Sequence, residues 1–154
     1  MQLYCDQCGC VLSDTLANYI AAIYSYGVNA YRNTTLQWGR GFFHGQARLF
    51  LYNELDGCHT YVPIRSEPIL VGRGSASYLP SSYVDLSEFG ARQFGVARYH
   101  AQIEQKSNAL YLSDLESPTG TFLDGVPLKP HTAYMIHNWS QIVFGTLAMR
   151  VRFA

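Results

Sequence analysis

The sequence is poor in charge, and this scarcity restricts the partners that the protein can bind. Charged residues make up 14% of the 154 residues, against roughly 25% in typical soluble domains, and the formal net charge is zero. No run of lysine or arginine is present to neutralise the phosphates of a nucleic acid along a groove. We therefore expect no nucleic-acid partner.

Long apolar runs are also absent. No stretch approaches the ~18 uncharged apolar residues that cross a bilayer, and the N-terminus lacks the basic and then apolar pattern of a signal peptide. We expect a cytoplasmic protein without a transmembrane segment, free or attached to a larger or membrane-bound complex. In that compartment the four cysteines are expected to be thiols rather than disulfides.

Motifs that carry catalysis are missing as well. The chain has no Gly-x-Ser-x-Gly elbow, no His-Glu-x-x-His pair and no Gly-x-x-x-x-Gly-Lys loop. Cys58 and His59 are neighbours at the entry to a predicted strand, where adjacent side chains point to opposite faces, so they make a poor catalytic dyad. The sequence therefore predicts a protein that is not an enzyme.

Tyrosine is abundant where charge is scarce. Aromatic residues make up 14% of the chain and include 12 tyrosines. Protein interfaces are depleted of charge and enriched in Tyr and Trp, so this composition favours a subunit of a stable protein complex. A neutral surface without a partner is the alternative interpretation.

Two features precede the predicted β region. Cys5-x-x-Cys8-Gly9 is typical of one knuckle of a zinc ribbon. The sequence leaves open a structural zinc ion completed by Cys10, Cys58 or His59, and a metal-free remnant with buried thiols. Apolar residues at helical spacing predict one α-helix over residues 13–27. This helix is expected to pack either on both its own domain and a partner or on its own domain alone. The residues predicted to contact a partner are the aromatic side chains Tyr19, Tyr24, Tyr26, Trp38, Phe42 and Phe43.

From about residue 46 the hydrophobic period changes to two. Nine short apolar or aromatic segments follow, separated by turn residues, and this spacing predicts an all-β sandwich. They lie at 47–54, 59–65, 68–73, 101–105, 109–115, 119–124, 133–136, 141–145 and 147–154. Asp124-Gly125 predicts a type I′ hairpin turn. We place the N-terminal appendage at residues 1–45 and the sandwich at residues 46–154.

Three motifs in the β region carry a family resemblance. They are LVGRG at 70–74, GVARYHAQIE at 95–104 and LSDLESPTGTFLDGVPL at 112–128. In this order they resemble the forkhead-associated (FHA) domain, an antiparallel β-sandwich whose loops at one end bind phosphothreonine. The stretch VDLSEFGARQFGVARYHAQIE, at 84–104, resembles a bacterial branch of that family. The resemblance covers about residues 46–154.

The resemblance implies a role for each residue that matches the family's motifs. Arg73 matches the cation on the phosphate side, a role that suits its charged fork, and Arg98 is placed to face the same pocket. His100 matches a structural histidine that braces a loop. The structural motif as a whole is represented here by Gly72, His100, Ser117, Gly120 and Thr121.

Three positions depart from the family pattern at the centre of recognition. Ala97 stands where a serine hydroxyl usually bonds the phosphate, Pro118 replaces a second hydroxyl, and Thr119 replaces an asparagine that holds the peptide backbone. A hydrogen bond to a charged group contributes roughly 1.5–3 kcal/mol, whereas micromolar binding totals only about 8 kcal/mol. Losing two such bonds predicts millimolar or weaker binding, and thus a degenerate pocket.

Two functional hypotheses follow from these observations. The first is a constitutive adaptor or structural subunit of a larger complex, which binds protein partners without a phosphorylation switch. The second is a phosphothreonine reader that binds a phosphoprotein downstream of a Ser/Thr kinase. The altered loops and the low charge favour the first hypothesis.

Overall fold

The computed structural model describes residues 41, 43, 47–74, 80 and 82–154, which form eleven strands in two sheets. The strands are β1 (Leu49–Asn53), β2 (His59–Val62), β3 (Ile69–Gly72), β4 (Tyr83–Asp85), β5 (Ala101–Lys106), β6 (Ala109–Asp114), β7 (Thr121–Leu123), β8 (Val126–Pro127), β9 (Tyr134–Ile136), β10 (Gln141–Phe144) and β11 (Leu147–Phe153). A short 3₁₀ turn at Ser87–Phe89 follows β4. Within the described part of the chain, no helix has the length and apolar character to cross a bilayer.

The two sheets pack as a sandwich. One sheet has six strands in the order β2-β1-β11-β10-β7-β8, and the other has five in the order β4-β3-β5-β6-β9. The strand pairs are antiparallel except β3 and β4, which run parallel with Val71 opposite Val84. The predicted β-sandwich is therefore confirmed, with one parallel pair added at its edge.

The core lies between the inner faces of the sheets and follows the alternation of each strand. In β11, Leu147, Met149 and Val151 are buried, and the residues between them are less buried. Neighbouring strands contribute further large side chains in the same way. The largest fully buried ones are Phe43, Phe144, Leu49, Leu51, Ile69, Leu86, Ile103, Leu110, Leu112, Ile136, Ile142 and Leu147.

Strands occur in all nine segments that the period of two predicts, and two further strands were not expected. β4 has only three residues, too few to show a period, and β8 has only two. Pro127 is tolerated in β8 because that strand lies at a sheet edge. The predicted Asp124-Gly125 turn has positive φ at both residues, 49° and 81°, as a type I′ turn requires.

Phe43 corrects one expectation. It was predicted to contact a partner, but it is 2% exposed, its amide donates to the Asn108 carbonyl at 2.7 Å, and its ring meets Phe153 edge-on at 5.2 Å. The interface prediction is wrong for this residue because its ring completes the core. The other predicted interface residues lie outside the described residues: Tyr19, Tyr24, Tyr26, Trp38 and Phe42. The predicted helix at 13–27 and the predicted metal ligands Cys5 and Cys8 also lie outside them.

Ile103 provides a test of the core. It is fully buried in β5, the central strand of the five-stranded sheet. Ile103→Ala should lower the free energy of unfolding by about 2–5 kcal/mol, because it leaves a cavity between the sheets. Gln102→Ala, on the opposite face of the same strand, should change it by about 0.5 kcal/mol or less. Urea denaturation measures both, and equal losses would contradict this core.

Candidate functional site

His100 joins the two loops that the sequence motifs predict to be adjacent. Its ring is buried, and Phe144 packs edge-on against it at 5.7 Å. The Ala97 amide donates to Nδ1 at 3.0 Å, so Nδ1 is an acceptor and the proton lies on Nε2. Nε2 then donates to the Gly120 carbonyl at 2.9 Å. One imidazole therefore connects residue 97 of one loop to residue 120 of the other.

The protonation state of His100 suits this role. Burial lowers the pKa of the imidazole, while the hydrogen bond to Gly120 and the charge of Asp114 act in the opposite direction. The net shift is downward, which favours the neutral ring. Only the neutral ring can accept from Ala97 and donate to Gly120 at the same time.

The loop that follows β3 lies directly against the loop before His100. A Cβ at Gly72 would lie 2.0 Å from the Arg98 carbonyl oxygen, so a glycine is needed for this close approach. The Arg73 amide donates to the Ala97 carbonyl at 3.0 Å. Residues 73, 97 and 98 are thus adjacent, as the resemblance implies.

Tyr83 supports this arrangement from β4, and the sequence motifs did not reveal it. Its hydroxyl donates to the Arg98 carbonyl, and its ring meets Tyr99 edge-on at 6.1 Å. Burial raises the pKa of Tyr83 to about 12, helped by Asp85 and Tyr99 and opposed by Arg73. The phenol therefore stays protonated at neutral pH and remains a donor to the loop.

Asp85, at the end of β4, holds the backbone that follows Arg73. Its Oδ1 accepts from the Gly74 amide at 3.1 Å, and from the amide and hydroxyl of Ser87 at 2.9 and 2.6 Å. The backbone after Arg73 is therefore tied to the end of β4.

The second loop is braced by a buried carboxylate. Asp114 is 2% exposed and accepts from the Ser117 amide at 3.1 Å, the Ser117 hydroxyl at 2.5 Å and the Thr121 hydroxyl at 2.5 Å. Ser117 and Thr121 thus direct their hydroxyls inward. Asp114 lies within the third motif, but its bracing role was not predicted from the sequence.

Thr119 links the second loop to the turn at 94–95. Its hydroxyl donates to the Gly95 carbonyl at 2.7 Å. Thr146 holds the same turn through its amide and hydroxyl, which donate to the Phe94 carbonyl at 2.9 and 3.1 Å. Gly145 has a φ of 64°, and a Cβ there would lie 2.5 Å from the Phe94 oxygen. The loops at this end form one connected cluster.

The structure thus brings the predicted site residues to one end of the sandwich. Arg98, Pro118 and Thr119 are exposed, whereas Arg73 and Ala97 are half-buried. In the described part of the chain no cluster of three or more His, Cys, Asp or Glu side chains is arranged to hold a metal ion.

The family profile of the FHA domain matches residues 69–145, half of the chain. The chain belongs to the FHA domain family. The matched residues include the three motifs and His100, so the FHA resemblance is confirmed. The FHA sandwich is a binding module for protein partners and is not a catalytic fold.

Part of the chain is also similar to a yeast protein. A probable E3 ubiquitin-protein ligase, dma1 of Schizosaccharomyces pombe, is 40% identical over 63 residues, which are 41% of this chain and 22% of that protein. The match therefore spans less than a quarter of the relative's length.

Solved structures show the same fold. The FHA domain of a hypothetical protein from Arabidopsis thaliana superposes with a TM-score of 0.55 at 22% identity, over 70% of this chain and 86% of that one. The FHA domain of CT664 from Chlamydia trachomatis gives 0.51 at 17% identity, over 68% and 96%. A structure solved in a study of phosphothreonine-dependent FHA domain interactions gives 0.51 at 22% identity, over 68% and 95%.

The brace at His100 predicts a dependence of stability on pH. Its folded pKa lies below the ordinary value of about 6.5, so its contribution is complete above that pH. As the pH falls below about 6.5, the unfolded chain takes up a proton that the folded protein resists, and stability is lost. The free energy of unfolding should therefore fall more steeply between about pH 7.5 and 5 in the natural protein than in His100→Asn.

His59 also makes stability depend on pH, because burial and the charge of Arg152 lower the pKa of its imidazole. That contribution is present in both proteins and cancels in the comparison. Equal slopes for the natural protein and His100→Asn would contradict the brace.

Proposed function

We propose that this FHA domain is a constitutive protein-interaction module, which binds its partners without requiring their phosphorylation. The observation that carries the proposal is that the hydrogen-bond donors of the recognition loops point into the protein. At the positions where the family binds phosphate and peptide, hydroxyl and amide groups are either missing or already bonded within the protein.

The first loop illustrates the loss. Ala97 has no hydroxyl, its amide donates to His100, and its carbonyl accepts from Arg73. A phosphate at this position therefore finds neither the side-chain donor that the family uses nor a spare amide at residue 97.

The second loop repeats the pattern. Pro118 has neither a hydroxyl nor an amide hydrogen. Thr119 donates its hydroxyl to Gly95, and Ser117 donates both its amide and its hydroxyl to Asp114. To bind a phosphopeptide, Thr119 would have to break its contact with Gly95, which would offset part of any gain.

Binding of partners would then depend on surface complementarity. The described surface presents Tyr99 and Tyr61, which are 51% and 50% exposed, and the chain as a whole has little charge. Aromatic, weakly charged surfaces suit stable contacts with other proteins. We therefore place the domain in a lasting complex in the cytoplasm, as an adaptor or structural subunit.

One observation favours a second candidate, a phosphothreonine reader downstream of a Ser/Thr kinase. Arg73 is retained where the family has its phosphate-side cation, and exposed Arg98 lies beside it. Two guanidinium groups can form charge-assisted hydrogen bonds with one phosphate. This candidate requires that the arginines alone replace the missing donors.

A peptide titration separates the two candidates. A library of phosphothreonine peptides, measured by calorimetry, should bind the natural chain with dissociation constants of about 1 mM or weaker. Ala97→Ser should improve the binding of these peptides at least about tenfold, because a hydroxyl returns beside the phosphate position. Unphosphorylated versions of the same peptides should not respond to this substitution.

Arg73→Ala is the matched control. Micromolar binding by the natural chain that Arg73→Ala abolishes would establish the reader and reject the constitutive module. A soluble, partner-free monomer recovered from its native source would also count against a lasting complex.

A further inference from the structure

The outer face of the six-stranded sheet carries a continuous aromatic cluster. Phe50 and Tyr52 of β1 lie opposite Tyr61 and His59 of β2 in the strand register; Phe50 is half-buried, whereas Tyr52 is buried at 7% exposed. Phe50 meets His59 at 5.4 Å and Tyr61 at 5.7 Å, and Tyr52 stacks on His59 at 5.0 Å. We call these four residues the outer aromatic cluster. Tyr61, at its margin, is half-exposed.

Arginines border this cluster on the same face. Arg152 and Arg150 of β11 lie opposite Phe50 and Tyr52 in the register, and the guanidinium of Arg152 lies 5.8 Å from the Trp139 ring. Arg150 is paired with Glu54. Arg48 extends β1 by one further pair, because its amide and carbonyl both bond Ala154, and it is exposed. Because Arg150 and Glu54 neutralise each other, the positive charge of this face comes from Arg48 and Arg152.

Among the described strands, β2 forms an open edge of the six-stranded sheet, beside the cluster. The Asn53 amide donates to the Cys58 carbonyl, so residues 58, 60 and 62 direct their backbone groups toward β1. The amides and carbonyls of His59 and Tyr61 consequently point away from β1. Within the part of the chain that the structure describes, no strand pairs with that side of β2. An unpaired edge of this kind is a template for one more strand.

We propose that β2 and the outer aromatic cluster form a docking site for an extended, acidic segment of a partner protein. The segment pairs with His59 and Tyr61 through its backbone. It places apolar side chains on the rings of Phe50 and Tyr61 and directs acidic side chains toward exposed Arg48. The open edge selects an extended chain, and the positive balance selects an acidic one. A second copy of this chain would bring an equally positive face to the same edge, and the two faces would repel each other.

This site is separate from the recognition loops and goes beyond the proposed function. The turn at 145–146 contacts the loops through Phe94, and β11 runs from that turn toward Arg152 at its other end. At about 3.3 Å per residue, the distance along β11 from Thr146 to Arg152 is roughly 20 Å. The docking site is therefore expected to work whether or not the loops bind phosphate.

The proposal is tested with a short peptide that alternates glutamate with valine, titrated into the full chain and followed by NMR. Amide resonances of β2 and of the neighbouring face should shift, and those of residues 117–121 should not. The counterpart with lysine in place of glutamate should bind at least about fivefold more weakly, because it repels the arginines.

Two variants test the two parts of the site. Tyr61→Pro removes the outward amide without removing a hydrogen bond to β1, and should weaken binding of the glutamate peptide about fivefold or more. Tyr61→Thr keeps that amide and separates its contribution from that of the ring. Arg48→Glu should weaken binding, and this loss should shrink as salt is added. Arg92→Glu, an exposed site in the 90–95 turn, should leave affinity unchanged.

Several results would overturn the proposal. One is a glutamate peptide that shifts no resonance of β2, and another is equal binding of the lysine peptide. A concentration-dependent dimer that Tyr61→Pro dissolves would assign the edge to a second copy instead. Unfolding of Tyr61→Pro, seen by circular dichroism, would contradict the assigned direction of its amide.

Discussion

The imidazole of His100 is the contact on which the rest of the recognition end depends. It accepts from Ala97 and donates to Gly120, twenty residues further along the chain than His100, and therefore connects two loops. The ring can do this only when it is neutral and protonated at Nε2. Because it is buried against Phe144, the charged form is disfavoured and the geometry is maintained at neutral pH.

Scaffold and recognition chemistry separate in this domain. The residues that position the loops are kept and fully engaged: Gly72 allows the close approach to Arg98, and Asp114 gathers two hydroxyls. Ala97 and Pro118 stand where the family carries hydroxyls and the Thr119 hydroxyl donates to Gly95, whereas Arg73 is retained. We infer that such loops are stabilised as a fixed surface rather than as a receptor awaiting a ligand. The open edge at β2 offers a second surface for partners.

The sequence predicted the fold well because most strands are long enough to show their period. Alternation in β11 marks its buried face, and Asp124-Gly125 marks a turn by its conformational preference. What the pattern missed depends on tertiary contacts. β4 is too short to show a period. The burial of Phe43 depends on its packing in the core, which the sequence pattern does not reveal. Tyr83 serves the site through a hydroxyl that reaches Arg98 from a strand fifteen residues earlier, a contact with no local signature.

The tautomer and charge of His100 in the ligand-free full chain test this account most directly. Nitrogen-15 NMR of the imidazoles distinguishes a bare Nδ1 from a protonated one. At neutral pH we expect His100 to be uncharged with its proton on Nε2, because burial lowers the pKa of the imidazole. A His100 that is protonated at Nδ1 at neutral pH would contradict the brace and the fixed loops inferred from it.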